Sequence, residues 1–92
     1  MKPFNIQIQN NNEEVTLTIL PEHDYYKIIY FGGIIGAIKE LNGQWELLAE
    51  EEIEAGSLPF YDDKHGVDDQ PKLELNLPLV NQISGQIENV IH

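Results

Sequence analysis

The sequence predicts an α+β domain: an antiparallel meander sheet of about five strands with one C-terminal amphipathic helix packed on one face. Three observations carry this expectation. Apolar and polar residues alternate through most of residues 4–19. Two short turn signals, Gly32-Gly33 and Asn42-Gly43, each lie between runs rich in β-branched and aromatic residues, and such pairs supply the positive φ that type I′ hairpins need. Leu79, Ile83, Ile87, Val90 and Ile91 recur at helical spacing near the end of the chain, with Asn81, Gln82, Gln86 and Asn89 off that stripe.

The first hairpin has the cleanest pattern. Phe4, Ile6 and Ile8 alternate with Asn5, Gln7 and Gln9, and after Asn10-Asn11-Asn12-Glu13 the residues Val15, Leu17 and Ile19 alternate with Glu14, Thr16 and Thr18. Pairing Gln9 with Glu14 sets Ile8 against Val15, Ile6 against Leu17 and Phe4 against Ile19, so that all six apolar side chains share one face. A slip of one residue would expose the whole set, which is why the alternation specifies the register. Pro21 cannot donate to a ladder, so the second strand should stop at Leu20. Glu22-His23-Asp24 then reads as a solvated connection.

The meander occupies residues 25–49. With turns at Gly32-Gly33 and Asn42-Gly43, Phe31 faces Ile34 and Leu41 faces Gln44, and opposed residues share a face. One face then carries Ile29, Phe31, Ile34, Gly36, Ile38, Trp45, Leu47 and Ala49, with Lys27 and Glu40 near its ends; this is the expected core face. The other carries Tyr26, Ile28, Tyr30, Ile35, Ala37 and Leu48, plus Lys39 directly across from Glu46. Ile34, Ala37, Ile38 and Leu41 also fit helical spacing, but Gly36 costs such a helix roughly 1 kcal/mol and two consecutive isoleucines weaken it further. The third strand should run through Leu48, with at most one helical turn in residues 50–55.

Beyond Ala49 the composition turns acidic: Glu50, Glu51, Glu52, Glu54, Asp62, Asp63, Asp68 and Asp69 put half of the sixteen acidic residues into twenty positions. Residues 57–70 read as loop. Leu73, Leu75 and Leu77 alternate with polar residues as a short strand or extended arm. Asn76 is placed to cap a helix over 78–91, with Pro78 in the first turn, where a missing N–H costs nothing. That helix should lie across the core face, with Gly36 and Ala49 leaving room for close approach.

Ninety-two residues make a single domain. The chain has no cysteine, hence neither a disulfide framework nor a thiolate zinc site. Its start, MKPFNIQIQN, lacks the apolar core of a signal peptide, and no apolar run approaches the length that spans a bilayer, so the expectation is a soluble, cytoplasmic protein without a membrane partner. The net charge is −11, from sixteen acidic residues against five lysines, with no arginine. Nucleic-acid binding is disfavoured, because the phosphate backbone would be repelled and bidentate arginine contacts to guanine are unavailable.

Candidate chemistry is sparse. Gly32-Gly33-Ile34-Ile35-Gly36 lacks the spacing of a dinucleotide loop, and Gly33-Ile34-Ile35-Gly36 lacks the basic surroundings of a phosphate clamp, so hairpin glycines account for both. Asp62, Asp63, His65, Asp68 and Asp69 form the best metal candidate. Aligning Gly66 with the turn glycine of a calcium loop, however, puts Tyr61 and Lys72 where carboxylates are needed, which leaves only an irregular Ca²⁺ site. Ser57 and Ser84 have no nucleophile elbow around them. The expectation is a protein that is not an enzyme and needs no cofactor. The second meander face offers Ile28, Tyr30, Ile35 and Leu48, with Tyr26 at its margin, as an apolar contact patch, unless residues 57–77 fold over it. Two functions follow: a small acidic protein-interaction module that self-associates as a homodimer, or a ligand- or Ca²⁺-binding domain that uses the loop 61–69.

The pattern YKIIYFGGIIGAI from Tyr26, the Trp at 45, and ISGQIENVI at 83–91 resemble small uncharacterised bacterial domains, a domain of unknown function with a Gly-rich hairpin, a Trp-containing strand and a C-terminal helix. The resemblance implies a fold and carries over no functional residue.

Overall fold

A computed structural model describes residues 2–10, 12–54, 56, 60 and 75–91. Five antiparallel strands follow one another in both sequence and space: β1 (Phe4–Asn10), β2 (Glu13–Pro21), β3 (Tyr26–Tyr30), β4 (Gly33–Leu41) and β5 (Gln44–Leu47). A 3₁₀ turn (Glu50–Glu52) follows, and the chain closes with α1 (Leu77–Ile91). The sheet is curled, and α1 makes its main approach to β1 and β5, the two edges, so that it roofs the concave side.

The β1–β2 register is the one that alternation demands: Phe4 opposes Ile19, Ile6 opposes Leu17, Ile8 opposes Val15 and Gln9 opposes Glu14. The loop is tighter than four residues, because Asn10 and Glu13 also pair and Asn12 takes φ 66°. On the outer face Thr18 Oγ1 donates to Asn5 Oδ1 at 2.8 Å. β4 and β5 pair as expected, with Leu41 opposite Gln44, Glu40 opposite Trp45, Lys39 opposite Glu46 and Ile38 opposite Leu47. β5 ends at Leu47, although the Leu48 N–H still donates to the Ala37 carbonyl at 2.9 Å. β2 runs one residue past the expected stop: Pro21 opposes Tyr26 as the terminal pair of its ladder.

The β3–β4 hairpin departs from expectation. Its central residues are Phe31 (φ 49°) and Gly32 (φ 76°), not Gly32 and Gly33, so Tyr30 opposes Gly33 and Ile29 opposes Ile34. A bulge then leaves Ile35 without an opposite number, and pairing resumes with Ile28 against Gly36, Lys27 against Ala37 and Tyr26 against Ile38. The physical reason is that both sides of this part of the sheet are covered. A strict period of two buries one face, whereas one extra residue lets Ile35 and Ile38 face the helix while Ile34 and Ala37 face the other side.

The core is accordingly double. Under the helix, Ile6, Ile8, Leu17, Ile19, Ile28, Tyr30 and Ile38 pack against Leu79, Val80, Ile83 and Ile87. On the opposite side Ile29, Ile34 and Ala37 pack against Ile53, with Leu20, Tyr25, Leu48 and Phe60 around them. The expected core face is therefore corrected across the β3–β4 hairpin: Ile29 and Ile34 belong to the smaller cluster, and Phe31 is 66 % exposed at the hairpin tip. Gly36 does lie close to the roof, since a Cβ there would meet Leu75 Cδ1, but Ala49 is exposed.

The helix is capped as its sequence implies, with Asn76 Oδ1 accepting from the Leu79 N–H at 3.0 Å. Its buried stripe is Leu79, Val80, Ile83, Ser84 and Ile87; Val90 is 51 % exposed and turns away. Two polar ties fix its direction. The Gln82 side-chain amide accepts from the Gln9 N–H at 2.9 Å and donates to the Gln9 carbonyl at 3.0 Å, pairing with the β1 edge as a strand would. At the other edge Trp45 Nε1 donates to Glu88 Oε1 at 2.8 Å, and the indole packs against Tyr26 at a ring separation of 5.7 Å.

Candidate functional site

The Gln9–Gln82 contact fixes which way the backbone groups of β2 point. Both Gln9 main-chain groups turn away from β2, so Gln9 and Glu14 form a non-hydrogen-bonded pair, and the N–H and C=O of Glu14 face the β3 side. By alternation Thr16, Thr18 and Leu20 face the same way. Thr18 and Leu20 meet Ile29 and Lys27 there. The β2–β3 ladder ends at Thr18, although β2 continues down to Glu13. Glu14 and Thr16 thus direct strand-type donors and acceptors at a part of the sheet where, among the described residues, no strand pairs with them.

That part of the sheet is a groove of about 280 Å³, lined by Glu13, Glu14, Val15, Thr16, Tyr30 and Phe31. Its floor is apolar, since Val15 is 6 % and Tyr30 is 4 % exposed. One wall is the Phe31 ring, stacked at a tilt on Tyr30 with 4.4 Å between centroids. Phe31 combines exposure with a left-handed backbone, a conformation that costs a β-unbranched L-residue roughly 1–2 kcal/mol. Glu13 and Glu14 are both exposed and, being adjacent in a strand, project to opposite faces of the sheet at the groove's rim. Such an arrangement can pair main chain with main chain, hold an apolar side chain against Phe31, and attract positive charge. Among the described residues it contains no nucleophile–base pair.

The predicted contact patch is not a surface. Ile28 is fully buried and Tyr30 is 4 % exposed beneath α1. Tyr26 and Ile35 are partly buried on that same side, whereas Leu48 lies against the opposite cluster. The turn shift and the bulge split the five residues between two cores. Asp62, Asp63, His65, Asp68 and Asp69 lie outside the described residues; among those described, no group of three or more acidic or histidine side chains is placed to hold a metal. No described helix is long and apolar enough to cross a membrane. Sequence reasoning missed Phe31 and Thr16 because Phe31-Gly32-Gly33 offers two places for the turn, and the Gly-Gly pair draws the assignment away from Phe31.

Lys27 is the notable buried charge: its side chain is 5 % exposed, and Nζ sits 3.2 Å from Glu22 Oε1. It lies on the smaller-core side, and the nearby Tyr25 hydroxyl accepts from the Glu54 N–H at 3.0 Å, pinning residues 50–54 over that face. This is a structural ion pair, and neither of its residues lines the groove.

Comparison with protein-family models, with curated proteins and with solved structures finds no match to this chain.

Proposed function

We propose that this chain is a non-catalytic protein-interaction module whose groove takes up an extended segment of a partner by strand addition. The observation that supports this is the stretch of β2 that pairs with no strand on its β3 side among the described residues: Glu14 and Thr16 present main-chain groups to a groove next to an exposed phenylalanine held at positive φ. Strand addition draws affinity from main-chain hydrogen bonds and selectivity from alternate side chains, and the groove offers both. Strained backbone conformations persist where the surrounding fold enforces them and concentrate at binding surfaces. Self-association through Tyr26, Ile28, Tyr30, Ile35 and Leu48 lacks the accessible area it would need, so a homodimer would have to form through another surface.

The test is a nuclear magnetic resonance titration of nitrogen-15-labelled protein with a neutral peptide of alternating threonine and valine. Shifts concentrated at Glu14, Thr16 and Phe31 are the expected result. Shifts spread over α1 or the β5 edge, or none at millimolar peptide, would overturn the reading.

A further inference from the structure

We propose that the partner segment is basic and runs antiparallel to β2, with two consecutive lysine or arginine residues opposite Glu14 and Glu13, preceded by an apolar and then a small polar residue; this rests on the strand-addition reading above. Direction and order come from the geometry. Antiparallel partners exchange both hydrogen bonds at one residue, which suits Thr16 and Glu14, whose N–H and C=O groups both face the groove. A residue opposite Thr16 shares the exposed outer face. The next lies over Val15 and the Tyr30–Phe31 ring pair, where an apolar side chain fits. The two after it emerge on opposite faces of the sheet, one beside each carboxylate.

Charge favours a foreign basic partner over a second copy. The chain carries −11 overall, so two copies brought together at a rim already lined by Glu13 and Glu14 would repel, whereas a cationic segment gains both local pairing and long-range steering. Among the described residues, no other charged side chain lines the groove.

The probe is acetyl-Thr-Thr-Val-Lys-Lys-Thr-amide, compared with the versions carrying Gln-Gln or Glu-Glu at the lysine positions and titrated into labelled full-length protein at low and at physiological salt. The expected outcome is that the lysine peptide binds about tenfold more tightly than the glutamine peptide, the product of two surface ion pairs, with the margin shrinking in salt and the glutamate peptide not binding. Glu13→Gln with Glu14→Gln should erase that margin while leaving the fold intact. Thr16→Pro should abolish binding of all three, because it removes a donor that faces the groove rather than β1. If the lysine and glutamine peptides bind equally, the basic preference is wrong and strand addition stands. If none binds at millimolar concentration, both readings fall. If the same shifts appear on raising the protein concentration alone, with a doubled mass by light scattering, the occupant is a second copy and the proposal is overturned.

Discussion

Ile83 sits at the centre of the roof, with no solvent exposure, among Ile8, Leu17, Ile19 and Ile28 from three strands. Replacing it with alanine removes three carbons from a site whose neighbours belong to a hydrogen-bonded sheet and cannot collapse inward. Truncations of this kind cost about 2–5 kcal/mol, and a rigid surround puts Ile83→Ala near the middle, about 3–4 kcal/mol. A domain of 92 residues is expected to have a net stability of roughly 5–14 kcal/mol, so this one change removes a large fraction of it. At about 4–8 °C per kcal/mol the melting temperature should fall by roughly 12–30 °C. Urea denaturation followed both by circular dichroism and by the fluorescence of Trp45, the sole tryptophan, measures this directly. The same helix supplies the control: Val90, half exposed on the opposite side, should cost less than about 0.5 kcal/mol when changed to alanine. If the two variants lose similar amounts, or Ile83→Ala loses less than about 1 kcal/mol, α1 does not roof the sheet as described.

Three further outcomes follow from the same packing. Ile87→Asp puts an unpaired carboxylate at a position with no solvent exposure and should leave a chain without a cooperative urea transition, much as truncation before residue 78 would. Glu22→Gln strips the buried Lys27 ammonium of its ionic partner and should destabilise by about 1–3 kcal/mol in chemical denaturation, whereas Lys27→Met, which removes the buried charge itself, should be neutral or stabilising. Phe31→Asn places a residue that tolerates positive φ at the first turn position and should raise stability by about 1 kcal/mol while weakening peptide binding, since the groove loses its ring; a stabilised variant with undiminished binding would remove Phe31 from the site.

How much of this was legible in the sequence depends on how many faces a strand buries. β1, and β2 as far as Ile19, bury one face, so alternation specified both register and core, down to the Phe4–Ile19 pair. Asn42-Gly43 likewise specified the β4–β5 register, because the dipeptide offers one turn placement and Lys39 and Glu46 agree with it. The helix, its Asn76 cap and three residues of the buried stripe, Leu79, Ile83 and Ile87, were readable from period and cap chemistry; Val90 was not, because the stripe drifts round the helix and Val80 and Ser84 take the buried side. β3 and β4 defeated the same reasoning. Their apolar residues run nearly unbroken, and an unbroken run carries no information about which side chain points where. The groove was invisible for a related reason, since it arises where the β2–β3 ladder stops at Thr18, and nothing local in Glu13–Leu17 marks that stop.

The turn position and the groove are one fact seen twice. The β2–β3 register sets Thr18 against Ile29, and continuing it would set Thr16 against Phe31. Had the turn formed at Gly32-Gly33, Phe31 would have remained in strand conformation and could have closed that pair. Because the turn takes Phe31 itself to φ 49°, its main chain leaves the sheet, and Thr16 loses the residue it would have bonded. One strand should therefore show a mixed pattern of amide hydrogen exchange. Val15 and Leu17 donate toward Ile8 and Ile6 and should exchange slowly, as should Thr18, which meets Ile29; Thr16, between them in sequence and facing the groove, should exchange orders of magnitude faster. If Thr16 proves as protected as Thr18 in the isolated protein, its N–H already has a partner, and a foreign strand has nothing left to pair with.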